Sequence, residues 1–354
     1  MLITSANDLS VLFPQALSAE RLEQYEKDIQ DILQREMDRL PQEGTVDLFT
    51  FAYDLVVRVV LCTFLGPLPE AHLAELSDLW KQTDLEIYLA NPLHFLFPIL
   101  SERRRLACYL RIKELLGEIL QDRRSAHTQR MDFLQIADSR LGGPEGLDRV
   151  FGAVWSSIFA ATTNQFAATA WLMYYSAADS QCRERIGREL AAAGAARTLL
   201  CDMPYLEAAL REVLRITTPG MAVRWSTEPV SFGPYTIREG RLIVFFHSTF
   251  NMDEKTFSDP TAFVPERLMV GGQFDHEQLA REFKILGFGC GRHPCTGMRL
   301  ATLIIKATFS TLFSHLDYSF PEKVVAPEFQ PFGVLRPSKP LLMHYKKRKS
   351  AMEF

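Results

Sequence analysis

The chain has 354 residues, of which 47% are apolar and 23% charged; that is far too apolar for a disordered polymer and long enough for two average domains or one large core. Its 39 basic and 43 acidic residues leave a formal charge of -4, so it lacks the overall basic footprint of a nucleic-acid binder. Six cysteines, at 62, 108, 182, 201, 290 and 295, include no C-x-x-C pair, which argues against a disulfide framework and a four-cysteine zinc site and for a reducing compartment.

Met1 leads into Leu-Ile-Thr and then polar and acidic residues rather than a basic segment followed by an apolar one. No signal peptide or membrane anchor is therefore expected at this end. Over 16–40, Leu22, Tyr25, Ile29, Ile32 and Leu33 recur at three- and four-residue steps, which predicts an amphipathic helix. The apolar run Val46 to Gly66 carries Asp47, Asp54 and Arg58 and reads as a buried helix rather than a membrane span. Further helices are expected over 70–83 and 101–125. The second is strongly basic (Arg103, Arg104, Arg105, Arg111, Lys113), as a solvated helix face is.

Val150 to Ala178 contains no charged residue, so a membrane span has to be weighed there. The polar block Thr162-Thr163-Asn164-Gln165 stands at its centre, where lipid exposure would cost most. A long helix through a protein core, with that block facing a cavity, fits better. From Phe232 onward turn residues alternate with β-branched and aromatic ones through Phe246, predicting a small sheet. A helix is expected over Met298 to Phe313, and the tail 327–345, broken by Pro and Gly, reads as hairpin-like. No repeat of fixed period and no low-complexity linker is visible, so 1–354 reads as one mainly α domain with a minor β-sheet.

The most informative segment is Gly287-Phe288-Gly289-Cys290-Gly291-Arg292-His293-Pro294-Cys295-Thr296-Gly297-Met298-Arg299. A glycine-rich loop delivers Cys295 to the start of a helix, where the helix dipole is expected to lower the thiol pKa and keep it available as a metal ligand or nucleophile. Phe288, Gly291, Cys295 and Gly297 fill F-x-x-G-x-x-x-C-x-G, which resembles the haem-binding loop of the cytochrome P450 family. The resemblance implies that Cys295 is the thiolate ligand to iron of haem b, that Phe288 packs near the sulfur, and that the glycines admit the macrocycle. The loop form Gly-Arg-His-x-Cys-x-Gly is similar to the sterol 14α-demethylase branch, with His293 facing a haem propionate.

Glu212-Val-Leu-Arg215 sits on a helical pattern, and its i, i+3 spacing puts both charges on one face. Pro265-Glu266-Arg267-Leu268 follows it and precedes Cys295. This order resembles the family's E-x-x-R and P-E-R motifs, which implies a buried structural triad of Glu212, Arg215 and Arg267. By the same resemblance Arg224 would hold a propionate, and the long helix would cross the haem face. That helix usually carries an acid-alcohol pair for proton delivery, whereas here the acid position is Thr163 and the alcohol position Asn164. Asn at that position is similar to the steroid 7α-hydroxylase and prostacyclin synthase branch, and it has no proton to relay near neutral pH.

The fold implied is that of the family without its N-terminal part, beginning near its third or fourth helix. The activity implied is a haem-dependent monooxygenase that oxidises an apolar sterol- or terpenoid-like molecule, with NADPH electrons relayed by cytochrome P450 reductase. A longer form with an anchor would sit on the cytoplasmic side of the endoplasmic reticulum. Phe159, Phe166, Met221 to Val223 and Pro331-Phe332-Gly333-Val334 would wall the substrate. Two other readings stay open: a reductase-independent isomerase or dehydratase of a lipid peroxide, and a non-enzymatic fragment.

Overall fold

The computed structural model describes residues 6–83, 98–126, 130–143, 146–193, 203–218, 220–269, 276–282, 284–292, 294–321, 326, 328 and 334–349. In chain order, α1 (Ala6–Ala16) and α2 (Ala19–Arg39) lead to β1 (Glu43–Asp47), α3 (Leu48–Leu65) and α4 (Glu70–Thr83). Next come α5 (Pro98–Ser125), α6 (Phe133–Leu141), the long α7 (Leu147–Ala178), α8 (Ser180–Ala193) and α9 (Pro204–Thr217). Four short strands follow, β2 (Met221–Trp225), β3 (Val230–Phe232), β4 (Tyr235–Ile237) and β5 (Leu242–Phe246). The described chain closes with α10 (His247–Asn251), α11 (His276–Arg281), α12 (Met298–His315), β6 (Leu316–Ser319) and β7 (Leu342–Lys347). The mainly α architecture with minor sheets is the one the sequence predicts.

The helix α7 is the central beam, packed on α3, α9, α12 and α6. Its apolar residues face the core on nearly every side over the second half, where Phe166, Trp171, Leu172 and Met173 are all essentially inaccessible to solvent. Trp171 fixes three parts of the chain at once. Its ring meets Phe49 of α3 edge-on at 5.2 Å, and its Nε1 donates to Leu335 O at 2.8 Å. The helix α3 is long and apolar enough to cross a membrane, yet 78% of it is buried inside the fold, as the acidic and basic residues on it suggest.

Local chemistry sets several helix starts. Asp47 accepts hydrogen bonds from Thr50 N (3.1 Å) and Thr50 Oγ1 (2.6 Å) at the N-terminus of α3, a side-chain cap. Its other oxygen accepts Leu341 N at 2.9 Å, tying that helix to the C-terminal strand. Pro204 opens α9, and the Glu189 carboxylate accepts Tyr205 N (2.7 Å) and Leu206 N (2.9 Å).

The sheets depart from the expectation in one respect. Among the described residues the tail 327–345 pairs with itself at one antiparallel bridge, between Glu328 and Arg336; residues 327 and 329–333 of the expected hairpin lie outside them. The strand β7 is the middle strand of an antiparallel trio in the order β1-β7-β6, with Thr45 opposite His344 and Leu316 opposite Lys347. Val46 and Asp47, read from sequence as the start of the buried helix, instead belong with 43–45 to its edge strand, because their partner lies at the other end of the chain. The expected sheet after Phe232 is two separate pairs. β3 and β4 form a hairpin with Phe232 opposite Tyr235, turning at Gly233 with φ of +56°. β2 and β5 pair with Val223 opposite Val244.

Candidate functional site

A cavity of about 760 Å³ lies where α7, the end of α9, the β2–β5 pair and the loop before α12 meet. On α7 its wall is Ala160, Asn164, Ala167 and Ala168, which are the i, i+4, i+7 and i+8 positions of one helical face. Gln165 borders that face and also lines the cavity. The strands contribute Met221, Ala222, Val223, Arg224 and Phe245, and the loop contributes Leu286 through Cys290 and Cys295. No acidic side chain is among the described residues lining it.

The loop is shaped by its backbone. Gly289 and Gly291 have φ of +69° and +71°, a region that side chains with a Cβ rarely adopt. At Gly287 the need is space, because an added Cβ would lie 3.1 Å from Leu214 Cβ of α9. Cys295 N donates to Phe288 O at 2.8 Å, which closes the loop, and Phe288 packs against the main core from its half-buried position. Gly297 caps α12 at a negative φ.

Two thiols line the cavity, and their surroundings differ. The Cys295 sulfur accepts a backbone hydrogen bond from Gly297, which lowers its pKa, but burial outweighs this and raises it. The residue as a whole is nonetheless exposed. The raised pKa corrects the expectation of a net lowering by the helix terminus, since loss of water around a thiolate costs more than the nearby N–H recovers. Burial also raises the Cys290 pKa, with the positive charge of Arg224 opposing it. Arg224 lines the cavity and donates from Nη1 to Val223 O at 2.9 Å, back onto its own strand.

Other expected site residues are distributed unevenly. Thr163 is not among the residues lining the cavity; it stands about 100° round the helix from Asn164, and its Oγ1 donates to Phe159 O at 3.1 Å. Phe159 and Phe166 do not line it either. Phe159 is 39% exposed, whereas Phe166 is buried against Tyr53 at 5.1 Å with the Arg336 guanidinium 4.8 Å over its ring. Val334 does line the cavity. His293 and Pro331, Phe332 and Gly333 lie outside the described residues.

Behind the loop, Glu212 and Arg215 of α9 are completely buried and joined by two hydrogen bonds, Nε to Oε2 at 2.9 Å and Nη2 to Oε1 at 2.8 Å. Arg267 Nε lies 3.1 Å from Glu212 Oε1, an ion pair whose N–H is not aimed along the contact. Its outer nitrogens donate to Ser258 O (3.0 Å) and Ala262 O (3.3 Å). Arg215 also donates to Asn251 O at 2.8 Å, and Asn251 Oδ1 accepts Leu286 N at 2.7 Å. The ion cluster thus holds the start of the cysteine loop through one asparagine, which carried no signal in the sequence. Glu266 points the other way, accepting Tyr205 OH at 2.9 Å. Gln165, the last residue of the polar block expected to face a cavity, does line it, and His247 is a further cavity residue without a motif to mark it.

A model of the cytochrome P450 family matches residues 11–345. The chain is similar to the probable cytochrome P450 28a5 of Drosophila melanogaster, 30% identical over 59% of this chain and 44% of that one. It is also similar to the obtusifoliol 14-alpha demethylase of Sorghum bicolor, 25% identical over 89% of this chain and 66% of that one. A third relative, (S)-N-methylcoclaurine 3'-hydroxylase isozyme 1 of Papaver somniferum, is 28% identical over 71% and 53%. The chain thus spans about half the length of the curated relatives it matches. Among solved structures, a cyanobacterial CYP120A1 with retinoic acid bound superposes with a TM-score of 0.81 at 21% identity, covering 96% of this chain and 78% of the other; this likeness is one of fold.

Proposed function

Because this chain belongs to the cytochrome P450 family, we propose that it is a haem-dependent monooxygenase acting on an apolar, sterol- or terpenoid-like molecule, with NADPH electrons supplied through a reductase. The observation that carries the reading is the Cys295 sulfur on the wall of a largely apolar cavity, presented by a loop whose glycines keep side chains out of the way. The volume is in the range of cofactor and small-molecule sites.

The residues present suit haem. One cation, Arg224, lines the cavity and no described carboxylate does, so a propionate meets attraction without repulsion. Cys295 would ligate iron, and Arg224 would hold a propionate, a carboxylate that a planar guanidinium can grip through two hydrogen bonds. Haem when bound supplies oxygen activation, which a thiolate ligand favours by promoting O–O cleavage. The chain's own contribution is to hold the sulfur, exclude water with the α7 and strand walls, and seat an apolar substrate beside Asn164.

Haem titration of the purified chain tests this. Tight binding with a thiolate-type carbon monoxide difference band, and substrate oxidation that requires NADPH and reductase, is the expected result. Failure to bind haem would overturn it and leave the non-enzymatic reading. A second reading, a lipid-peroxide isomerase or dehydratase needing no reductase, is favoured by the proton economy of the wall. Thr163 is turned to Phe159 O, and Asn164 stands where no described acid lines the cavity. Turnover of a lipid peroxide without reductase, alongside no reductase-dependent product, would select it.

A further inference from the structure

Among the described residues, ten buried side-chain nitrogen or oxygen atoms have no hydrogen-bond partner. Two of them, Gln165 Oε1 and His247 Nδ1, belong to residues that line the cavity. Gln165 is only 4% exposed. Its neighbours on the α7 wall are Ala160, Asn164, Ala167 and Ala168; the alanine side chains offer no hydrogen bond, and Asn164 makes none to Gln165 Oε1. His247 is half-buried at the start of α10, directly after β5, where its backbone N donates to Gly220 O at 2.8 Å. Its ring packs so closely on Gly220 that an added Cβ there would lie 2.5 Å from Nδ1. A buried polar atom without a partner is costly and is rarely left so, which makes each one a pointer to something that binds.

We propose that Gln165 and His247 are specificity-determining residues that hydrogen-bond a hydroxyl group on an otherwise apolar substrate. This deepens the reading of the cavity as a monooxygenase site and rests on it. A hydroxyl is the matching chemistry because it both donates and accepts. It can donate to the Gln165 carbonyl oxygen and can accept from, or donate to, a neutral imidazole. A carboxylate suits the pair poorly, since Gln165 presents an acceptor and burial depresses the His247 pKa, keeping the ring neutral. A pure hydrocarbon would leave both atoms unpaired.

The test uses the whole 354-residue chain, with Nile red as a fluorescent cavity probe and 1-dodecanol and dodecane as competitors, so that the readout does not depend on catalysis. Expected is that Gln165→Leu lowers the ratio of alcohol to alkane affinity about three- to tenfold, the worth of one net hydrogen bond, while dodecane affinity holds or improves. In the unmutated protein, dodecanol should move the His247 imidazole ¹⁵N signals and dodecane should not; this arm is independent of whether the variant folds. An unchanged ratio in folded Gln165→Leu would overturn the proposal, as would His247 signals indifferent to the alcohol, the outcome if water alone occupies the pair. Displacement of the dye by neither competitor would overturn it too. A thiolate-type carbon monoxide band obtained alongside any of these would leave the proposed oxidation standing, whereas loss of that band would remove the oxidation itself.

Discussion

Cys290 and Cys295 both reach the cavity, so proximity alone does not choose between them. The loop does: Cys295 is fixed by its N–H to Phe288 O and by the Gly297 N–H on its sulfur, whereas Cys290 sits between two glycines at positive φ with no such support. Cys295→Ser should therefore abolish the thiolate-type carbon monoxide band, and Cys290→Ser should leave it in place; equal loss in both would sink the assignment. His247 offers a second check at this scale. Burial lowers its pKa below the ordinary 6.5, so below that value the unfolded chain binds the proton more readily than the folded one, and stability falls as pH drops from 6.5. The melting temperature of His247→Asn should decline less than that of the parent over this interval, and parallel curves would count against a buried neutral ring. Cys295, Phe288 and Gly291 were legible in the sequence because a loop motif has fixed spacing. Gln165 was legible only as part of a polar block expected to face a cavity, and His247 not at all, because an unpartnered buried atom is a property of packing and leaves no pattern along the chain.

At the scale of elements, the Glu212, Arg215 and Arg267 cluster is what connects α9, the segment 251–267 and the cysteine loop. Glu212 and Arg215 have no exposure and Arg267 only 5%, and between them the two arginines donate to the carbonyls of Asn251, Ser258 and Ala262. Removing Arg267 leaves a buried carboxylate with one partner fewer and the carbonyls of Ser258, Asp259 and Ala262 each short of a donor. The expected cost of Arg267→Ala is about 3–5 kcal/mol, read as lowered urea midpoint and poor haem retention rather than as a slower reaction in a stable protein. A variant with the parent's midpoint would show that the cluster contributes little to holding the loop. The helices of this region were legible from three- and four-residue periodicity, and the charge pair from its i, i+3 spacing. β1 was not: it is five residues long with no buried face of its own, and its pairing with β7 spans almost the whole chain, a relation that local pattern cannot carry. Thr163 shows the converse limit, since its neighbourhood in sequence pointed at the cavity while the helical rotation of one residue carried its hydroxyl away.

Across the whole molecule, stability is unevenly distributed in a way that bears on the site. Among the described residues, one apolar cluster runs from Leu12 to Tyr345 and takes in α3, α7, α9 and α12, while a separate small cluster of Phe257, Leu268, Leu279 and Ile285 supports the segment before the cysteine loop. The β2–β5 pair has two strands, and Trp225, Leu242 and Phe246 on it are 64%, 60% and 47% exposed. A two-stranded pair with so little burial is marginal alone, and local opening is governed by how much apolar contact must be broken. Amide hydrogen exchange should accordingly show β2 through β5 opening far below the global unfolding free energy, while the amides of α3 and the second half of α7 exchange only by global unfolding. The cavity is built with one wall on each kind of structure, α7 on the stable side and the strands on the labile side. Ligand binding stabilises whatever conformation it needs, so haem should slow exchange most in 221–225 and 286–298 and scarcely change it in α3. Uniform protection before haem, or a haem effect spread evenly over the helices, would mean that the strand wall is held by the main core after all, and that the site is rigid on both sides without its ligand.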